Sequence, residues 1–233
     1  CAACCTCDVT LTTLEGYRII SSLTADPATA LPDAFRKPPI SRGFRPTLTT
    51  NQIAAMCMAD EEIPEESPSG GGSCPLLFDR GCSIYAFRPF ACRCMVSKRP
   101  CREAGFADMD EFVLTVNNLF LQYIEHIDRP GMSGNLEDVI GFLTSNKRRN
   151  AYVSGKIFEP MQPLIPNAPI PALMIPPRHR QRIQPILAAL AAEAKTTPHK
   201  FREQFEHIVG GTRRLRYEVR APIMIIDRIS RPK

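Results

Sequence analysis

The chain of 233 residues lacks any run of 18 apolar residues, and it also lacks an internal repeat and a heptad run. The missing apolar run argues against a transmembrane helix. No positively charged leader precedes an apolar segment, so no signal peptide is predicted. We therefore expect a cytoplasmic protein, either free or attached to a membrane-bound complex.

The sequence also lacks an initiator methionine and begins with Cys1. Its start is therefore expected to have been processed or lost. A bacterial lipoprotein begins with a modified cysteine after cleavage, so lipidation of Cys1 is an alternative. The nearby Cys4 and Cys5 favour a role as a metal ligand instead.

Recognisable catalytic patterns are missing as well. Gly70, Gly71 and Gly72 lie in an acidic, serine-containing segment and not between a strand and a helix, so they do not predict a phosphate-binding loop. No nucleophile, base and orienting residue form a recognisable set. The first histidine is His126, far from the cysteines. The sequence therefore predicts no catalytic residues.

Cysteine, in contrast, is concentrated in one part of the chain. All ten cysteines lie before residue 102, in one group at the start, one group between residues 74 and 94, and two single positions. They are Cys1, Cys4, Cys5 and Cys7, then Cys74, Cys82, Cys92 and Cys94, with Cys57 and Cys101 outside both groups. Thiols concentrated in this way usually share a task.

Metal ligation explains the concentration better than disulfides or structural thiols do. Thiolates bind zinc and iron–sulfur clusters in sets of four, and the short gap between Cys1 and Cys4 lets two sulfurs face one ion. An even number of cysteines would also allow a disulfide framework. A chain of this length can build its core without such staples, however, and the adjacent Cys4 and Cys5 are crowded for pairing.

Charge divides the chain into an acidic front and a basic rear. Residues 1–145 contain 12 Lys and Arg against 18 Asp and Glu, whereas residues 146–233 contain 17 against 6. The simplest interpretation is a solvated basic face that docks on the acidic half. A basic segment can also bind an acidic protein, a membrane surface or nucleic acid, of which nucleic acid is not favoured.

Apolar periodicity predicts mostly helices. The clearest helix spans residues 108–127, with Asp108 and Glu111 capping its start. Thr12 and Glu15 form a capping box for a helix over 11–24. Further helices are predicted over 49–59 with Thr49 or Thr50 as cap, after Asn135, near 184–195 with Pro185 in the first turn, and from Thr197. Residues 212–220 and 222–229 alternate as a β hairpin would.

Two segments rich in proline, residues 27–47 and 157–177, are predicted to be extended arms. Such arms are hard to order on a small domain, so we expect them to grip a protein partner together with the basic C-terminal segment. The predicted fold class is mainly α, with long irregular proline-rich segments, a small C-terminal β hairpin and a metal-centred N-terminal domain. Its predicted parts are a cysteine-cluster domain (1–105), core helices (106–145) and a basic extension (146–233).

Two blocks of the sequence resemble a known family. The opening CAACC is similar to the end of the C-x3-C-x2-C-C motif of the YkgJ-type cysteine cluster family, which is described as zinc- or iron-chelating. The second block follows in the family's order, as Cys74-Pro75-Leu76-Leu77, Cys82-Ser83-Ile84-Tyr85, Arg88-Pro89 and Cys92-Arg93. Flagellin lysine-N-methylases share this pattern. The resemblance covers about residues 1–95.

The resemblance implies a ligand set that this chain does not fully match. The implied ligands are Cys1, Cys4, Cys5, Cys74, Cys82 and Cys92. The family's first cysteine would precede Cys1 by four positions, so either the start is missing or another thiol substitutes. We add Cys94 to the predicted ligands and keep Cys7, Cys57 and Cys101 as further candidates.

Other residues of the second block are expected to surround the site. Arg88 and Arg93 are expected to donate hydrogen bonds to cluster sulfurs or to local carbonyls, with plain surface arginines as the alternative. Tyr85 is expected in the core, within an apolar shell around the cysteines that also contains Leu76, Leu77, Ile84, Phe87 and Phe90.

Many thiolates, no nearby histidine and an apolar shell favour an iron–sulfur cluster, such as a 4Fe–4S cluster, over zinc. The predicted function is a metal-binding protein that transfers electrons, senses redox state or serves as an accessory subunit of a larger assembly. The resemblance implies one alternative, an S-adenosylmethionine-dependent protein lysine N-methyltransferase of the flagellin-methylase type.

Overall fold

The computed structural model describes residues 2–25, 35, 43–66 and 71–196. The chain divides into two compact units, Cys1–Met174 and Ile175–Lys233. About half of the described residues are helical, and the strands form small antiparallel sheets, in agreement with a mainly α fold. None of the helices in these residues is long and apolar enough to cross a membrane.

The first unit contains seven α-helices, one 3-10 turn at Tyr85–Phe87 and five short strands among its described residues. The helices are α1 (Thr13–Ala25), α2 (Thr50–Met58), α3 (Phe90–Arg93), α4 (Cys101–Ala104), α5 (Glu111–Ile127), α6 (Leu136–Thr144) and α7 (Asn146–Val153). The strands are β1 (Thr10–Thr12), β2 (Leu77–Phe78), β3 (Gly81–Cys82), β4 (Met132–Asn135) and β5 (Ile165–Pro166). β4 is the central strand of the antiparallel sheet β1-β4-β5, and β2 pairs with β3 as a separate hairpin.

The core lies between α1, α6 and the three-stranded sheet. Ile19 and Ile20 of α1 meet Val139, Ile140 and Leu143 of α6, and all five are almost completely buried. Further apolar side chains from the sheet and from the cysteine-bearing segment complete this cluster; they include Leu11, Met132, Leu164, Leu76 and Ile84. The cysteine-bearing segment is therefore anchored in the same core as the helices.

Side-chain caps start three of the predicted helices. The capping box of α1 is confirmed, since Thr12 N–H donates to Glu15 Oε2 at 3.1 Å and Glu15 N–H donates to Thr12 Oγ1 at 3.4 Å. Thr49 caps α2, and Asn135 caps α6 by accepting from Glu137 N–H at 3.0 Å. Both caps were predicted.

The start of α5 differs from the prediction. Its cap is Asp110, which accepts from Phe112 N–H at 2.9 Å. Asp108 pairs instead with Arg99 at 2.9 Å. Because aspartate caps a helix wherever the chain turns into it, two aspartates spaced by one residue cannot be told apart from the sequence.

The three-stranded sheet and α7 were not predicted, because strands of two to four residues with Thr, Ser, Gly and Asn carry no apolar alternation. In the second unit, α8 (Arg180–Thr196) follows a short 3-10 turn at Pro177–His179 and begins four residues before its predicted start, so Pro185 lies inside it. The predicted helix from Thr197 and the predicted C-terminal hairpin lie outside the described residues.

One of the two proline-rich segments is bound by the protein's own helices. We call residues 167–174 the strap. Three of its backbone N–H groups donate hydrogen bonds to side chains of α5. The N–H of Ala168 donates to Glu125 Oε1 at 2.8 Å, that of Ile170 to His126 Nδ1 at 3.1 Å and that of Met174 to Gln122 Oε1 at 2.9 Å. Burial lowers the pKa of His126, which keeps Nδ1 available as an acceptor at neutral pH.

The carbonyl groups of the strap are bound as well. Ala168 O accepts from Asn51 Nδ2 at 2.9 Å, and Ala172 O accepts from Gln122 Nε2 at 2.8 Å. Asn51 and Gln122 are completely buried and also bond to each other at 3.2 Å. The strap therefore needs no partner to satisfy these backbone groups.

Candidate metal centre

The first cysteine group is joined to the second by a short antiparallel contact. Thr6 pairs with Ser73 in an isolated bridge. Cys74 N–H donates to Cys5 O at 3.0 Å on one side, and Cys7 N–H donates to Gly72 O at 3.0 Å on the other. The bridge therefore sets Cys5 opposite Cys74, although they are far apart in the sequence.

A tight hairpin brings Cys82 to the same place. Asp79 and Arg80 adopt left-handed backbone conformations (φ 44° and 60°) between β2 and β3, as a two-residue hairpin turn requires. The register sets Cys82 opposite Leu77, whose N–H donates to Cys74 O at 3.0 Å. The hairpin therefore returns the chain so that Cys82 pairs with Leu77, three residues after Cys74.

Helix α3 supplies the fourth thiol of this region, that of Cys92. The helix is held by Phe90, which is buried and packs against Phe120 of α5 with ring centroids 5.5 Å apart. Just beyond α3, Cys94 O accepts from Asn117 Nδ2 of α5 at 3.1 Å. Helix α5 therefore supports the segment that carries Cys92 and Cys94.

The electrostatics of Cys92 identify its neighbours. Burial raises the pKa of this thiol to about 12, and the charges of Cys74, Cys82 and Cys5 act in the same direction. Arg88 acts in the opposite direction. Burial also raises the pKa of Cys74, with the charges of Cys82 and Cys5 contributing. We call Cys5, Cys74, Cys82 and Cys92 the four-thiol group.

Cys4, Cys94 and Cys101 form a second neighbourhood. Burial is the main cause that raises the pKa of Cys4. The charge of Cys5 raises this pKa further, and that of Cys101 makes a smaller contribution in the same direction. Burial raises the pKa of Cys94 to about 11, with smaller contributions from the charges of Glu15 and Cys4. Because Cys4 and Cys5 are adjacent in sequence, the two neighbourhoods meet at this pair.

The remaining predicted cysteines lie elsewhere or outside the described residues. Cys7 is buried, with Sγ 3.8 Å from Asp8 Oδ1, and burial raises its pKa. Cys57 is exposed on α2, the helix that packs against α5. Cys1 is outside the described residues. The cysteines from Cys4 to Cys101 form no disulfide with one another.

The three residues that were expected to surround the site, Arg88, Arg93 and Tyr85, lie in different environments. Arg93 donates to Arg88 O at 2.7 Å and to Ala86 O at 3.0 Å, and Arg88 donates to Tyr85 O at 3.2 Å, so both bind local carbonyls. Tyr85 is 66% exposed, which corrects the prediction that it lies in the core. The guanidinium of Arg88 covers its ring at 3.7 Å from the centroid, so a cation–π contact replaces burial.

The predicted apolar shell covers the cysteines only on the side that faces the hydrophobic core. Leu76, Ile84 and Phe90 are buried, whereas Phe87 is exposed. Cys74 and Cys82 pack directly against the hydrophobic core. The four-thiol group therefore has an apolar side facing the core.

The donor chemistry of the four-thiol group fits a metal, but its side chains do not converge. Four thiols match the preference of zinc and of iron–sulfur clusters. Within the ranges that the structure describes, no three histidine, cysteine, aspartate or glutamate side chains are arranged so that they could hold a metal ion as they stand. Metal binding would therefore require the thiol side chains to turn toward one another and lose their protons.

Comparison with family models, with curated proteins and with solved structures gives no match to this chain. Its function must therefore be argued from its own residues.

One residue near the site was not predicted to contribute to it. Glu15 was recognised from the sequence as half of a capping box, yet its second oxygen accepts from Phe90 N–H at 2.7 Å. A carboxylate at the third position of a helix signals a cap, but nothing in a local pattern signals a partner 75 residues away.

Proposed function

We propose that this chain is a metal-binding protein that holds an iron–sulfur cluster, or zinc, through its clustered cysteines. The observation that supports this is the backbone pairing that sets Cys5 of the four-thiol group opposite Cys74, with Cys82 on the hairpin that follows and Cys92 on α3. These four thiols come from three separate segments, which the Thr6–Ser73 bridge, the β2–β3 hairpin and α3 bring together.

Burying several thiols together disfavours their charged thiolate forms, whereas a bound metal ion favours those forms. A bound cation stabilises thiolates outright, so metal binding contributes to the free energy of folding. The apolar side formed by Leu76, Ile84 and Phe90 suits an iron–sulfur cluster, whose potential depends on burial and on hydrogen bonds to its sulfurs. A bound cluster would supply one-electron chemistry, and the protein's residues would hold and shield it.

We further propose that the protein acts as an electron-transfer, redox-sensing or accessory subunit. The basic character of residues 146–233, with 17 Lys and Arg against 6 Asp and Glu, supports an acidic protein as partner. Co-purification of a second protein at fixed stoichiometry would support this assignment, and a chain that is monomeric and alone at every stage of purification would contradict it.

The proposal is tested by elemental analysis of protein purified without oxygen, with iron, zinc and acid-labile sulfide measured together. An iron–sulfur protein would show visible absorption that dithionite bleaches, whereas a zinc protein would be colourless. Finding neither metal in the anaerobic wild-type protein would overturn the proposal.

Two matched variants locate the site. Cys92→Ser removes a thiol of the four-thiol group and is expected to lose most of the bound metal. Cys57→Ser removes an exposed thiol on α2 and is expected to keep it. Equal metal content in the two variants would show that the four-thiol group is not the ligand set.

The lysine methyltransferase alternative stays a prediction from the resemblance. Calorimetry with S-adenosylmethionine tests it directly, since a methyltransferase must bind this cofactor measurably.

A further inference from the structure

We propose that Glu15 is a positioning residue of the metal centre: its carboxylate ties the α3 segment that carries Cys92 to the start of α1. This inference rests on the proposed function, and it assigns a role to a residue that is not itself a ligand.

The carboxylate of Glu15 is shared between two distant segments of the chain. Oε2 accepts from Thr12 N–H at 3.1 Å and lies 3.4 Å from Thr12 Oγ1, whereas Oε1 accepts from Phe90 N–H at 2.7 Å. Glu15 is buried. One side chain therefore joins residue 12, five positions after Cys7, to residue 90, two positions before Cys92.

The bond to Phe90 goes beyond what a capping box needs. A capping box uses one glutamate oxygen to satisfy the backbone of its own helix. Phe90 is the first residue of α3, whose N–H has no partner within that helix. The second oxygen of Glu15 therefore satisfies the start of α3, and a charge-assisted bond of this length is among the stronger hydrogen bonds in proteins.

The tie matters because α3 depends on contacts with other segments for its position. It is four residues long, too short to hold its position by its own hydrogen bonds. It packs against β1, which leads directly into α1. The aromatic contact of Phe90 with Phe120 fixes one side of the helix, and the bond to Glu15 fixes the backbone at its first residue.

The charge of Glu15 is also felt among the thiols. Burial raises the pKa of Cys94, and the Glu15 carboxylate adds a smaller contribution. Burial also raises the pKa of Glu15 itself, while its bonds to Phe90 and Thr12 and the charge of Arg93 act in the opposite direction. Glu15 is thus close to the thiols electrostatically, while its oxygens are occupied by Thr12 and Phe90 and not by a thiol.

The chain provides a closely matched control in Glu125. This residue is also buried, and it also accepts two backbone N–H groups from separate segments: Asn51 at 2.9 Å and Ala168 at 2.8 Å. It lies at the strap and joins no segment that carries a thiol of the four-thiol group, since α2, which contains Asn51, carries only the exposed Cys57. Glu125→Gln therefore reproduces the loss of a buried, doubly bonded carboxylate without altering the support of α3.

The main experiment compares metal retention in Glu15→Gln and Glu125→Gln. Each variant is loaded with zinc, and separately with ferrous iron and sulfide without oxygen, and is then challenged with a chelator. Residues that orient metal ligands typically change affinity by about 10- to 100-fold when substituted. We expect a loss of that size for Glu15→Gln and no change for Glu125→Gln. Equal retention in the two variants would overturn the inference.

A second readout does not depend on metal. In the metal-free protein, Glu15→Gln is expected to increase the rate of alkylation of Cys92 and the rate of hydrogen exchange at Phe90 N–H, whereas Glu125→Gln is not. If Glu15→Gln fails to fold, Glu15→Asp is used, since its shorter side chain can reach Thr12 or Phe90 but not both. Unchanged Cys92 reactivity in the variant that folds would also overturn the inference.

The two readouts separate this inference from the proposed function. Failure of the wild-type protein to bind metal would remove the proposed function, yet the alkylation comparison would still show whether Glu15 positions Cys92. Metal binding by the wild type with equal retention in both variants would leave the proposed function intact and remove the role of Glu15.

Discussion

The hydroxyl of Tyr152 donates a hydrogen bond of 2.6 Å to Oδ1 of the buried Asp128. The other oxygen of Asp128 accepts from Thr13 Oγ1 at 2.7 Å, Leu14 N–H at 2.9 Å and Asn167 Nδ2 at 3.1 Å. A single carboxylate thus joins the first turn of α1, helix α7 and the strap. Burial raises the pKa of Asp128 to about 7.

Asp128 is expected to make stability depend on pH. Because its pKa is 3.8 in an ordinary environment and about 7 in the fold, the folded protein keeps a proton between these values that the unfolded chain has released. The retained proton stabilises the folded state fully below about pH 4, and this stabilisation is lost as pH rises through about 7. The loss amounts to as much as about 4 kcal/mol in the free energy of unfolding. Urea unfolding at pH 4, 5.5 and 7 measures it.

Asp128→Asn is the variant that tests this pH dependence, because it removes the titrating group. Its free energy of unfolding is expected to change less between pH 4 and 7 than that of the wild type. Glu125→Gln should keep the part of the slope that Asp128 contributes. Identical slopes in Asp128→Asn and wild type would show that Asp128 does not titrate in this range.

Tyr152→Phe tests the same network without removing the carboxylate. It deletes the donor to Oδ1 and leaves a buried acceptor unpaired, which costs about 1–3 kcal/mol. The ring should still pack against Tyr17, whose centroid is 5.9 Å away. Thermal unfolding of Tyr152→Phe and Tyr17→Phe provides the comparison, and equal effects of the two substitutions would contradict a special role for the Tyr152 hydroxyl.

Gly131 is expected to tolerate no side chain, because this network leaves no room for one. A methyl group there would overlap the hydroxyl of Thr13 and lie 2.5 Å from both carboxylate oxygens of Asp128. Gly131→Ala should therefore destabilise the protein by about 1–3 kcal/mol. Gly141→Ala is the control, because α6 has open space there, and alanine should stabilise it by about 0.5–1 kcal/mol. Denaturant midpoints that move in the same direction would contradict this prediction.

Asn135 combines a helix cap with two long-range bonds. Its Nδ2 donates to Cys7 O at 2.7 Å and to Phe44 O at 2.9 Å, while its Oδ1 caps α6. Asn135→Ser should keep the cap, because serine caps a helix about as well as asparagine and is neutral, and should lose both donations, whereas Asn135→Ala should lose all three bonds. We expect both to be destabilised, the alanine variant by about 1 kcal/mol more, which is the usual value of a cap. Chemical denaturation measures the difference, and equal stability would mean that the cap contributes nothing.

The strap should be protected from solvent exchange. The N–H groups of Ala168, Ile170 and Met174 are bound by Glu125, His126 and Gln122. Amide hydrogen exchange at these residues should be slow, and Gln122→Ala should accelerate it at Met174 more than at Ala168. Rapid exchange at all three residues in the wild-type protein would show that the strap is not held in solution.

Local patterns predicted the parts of the fold that depend on neighbouring residues. The capping box of Thr12 and Glu15 and the cap of Asn135 each involve residues within four positions, so their chemistry is visible in the sequence. The partners of Glu15 and Asp128 in other segments could not be predicted, because they depend on how distant segments pack.

The candidate site likewise has one feature that the sequence indicated and others that it could not predict. The sequence indicated that the two cysteine groups act together, because thiols of both groups lie in one part of the chain. Which thiols become neighbours depends on the pairing of Thr6 with Ser73, which carries no local signal. The exposure of Tyr85 was missed because an aromatic residue within an apolar run resembles a core residue until the position of Arg88 is known.

The way the strap is bound has a consequence for how freely its sequence can diverge. Apart from Asn167, whose side chain bonds to Asp128, the strap is recognised through main-chain atoms, so side-chain identity from residue 168 onward is weakly constrained. Pro169 and Pro171 alternate with Ala168, Ile170 and Ala172, and both prolines are exposed. An imino acid placed at 168, 170 or 174 would instead remove a bound N–H. Evolutionary drift along this stretch should therefore be limited mainly by where proline can stand.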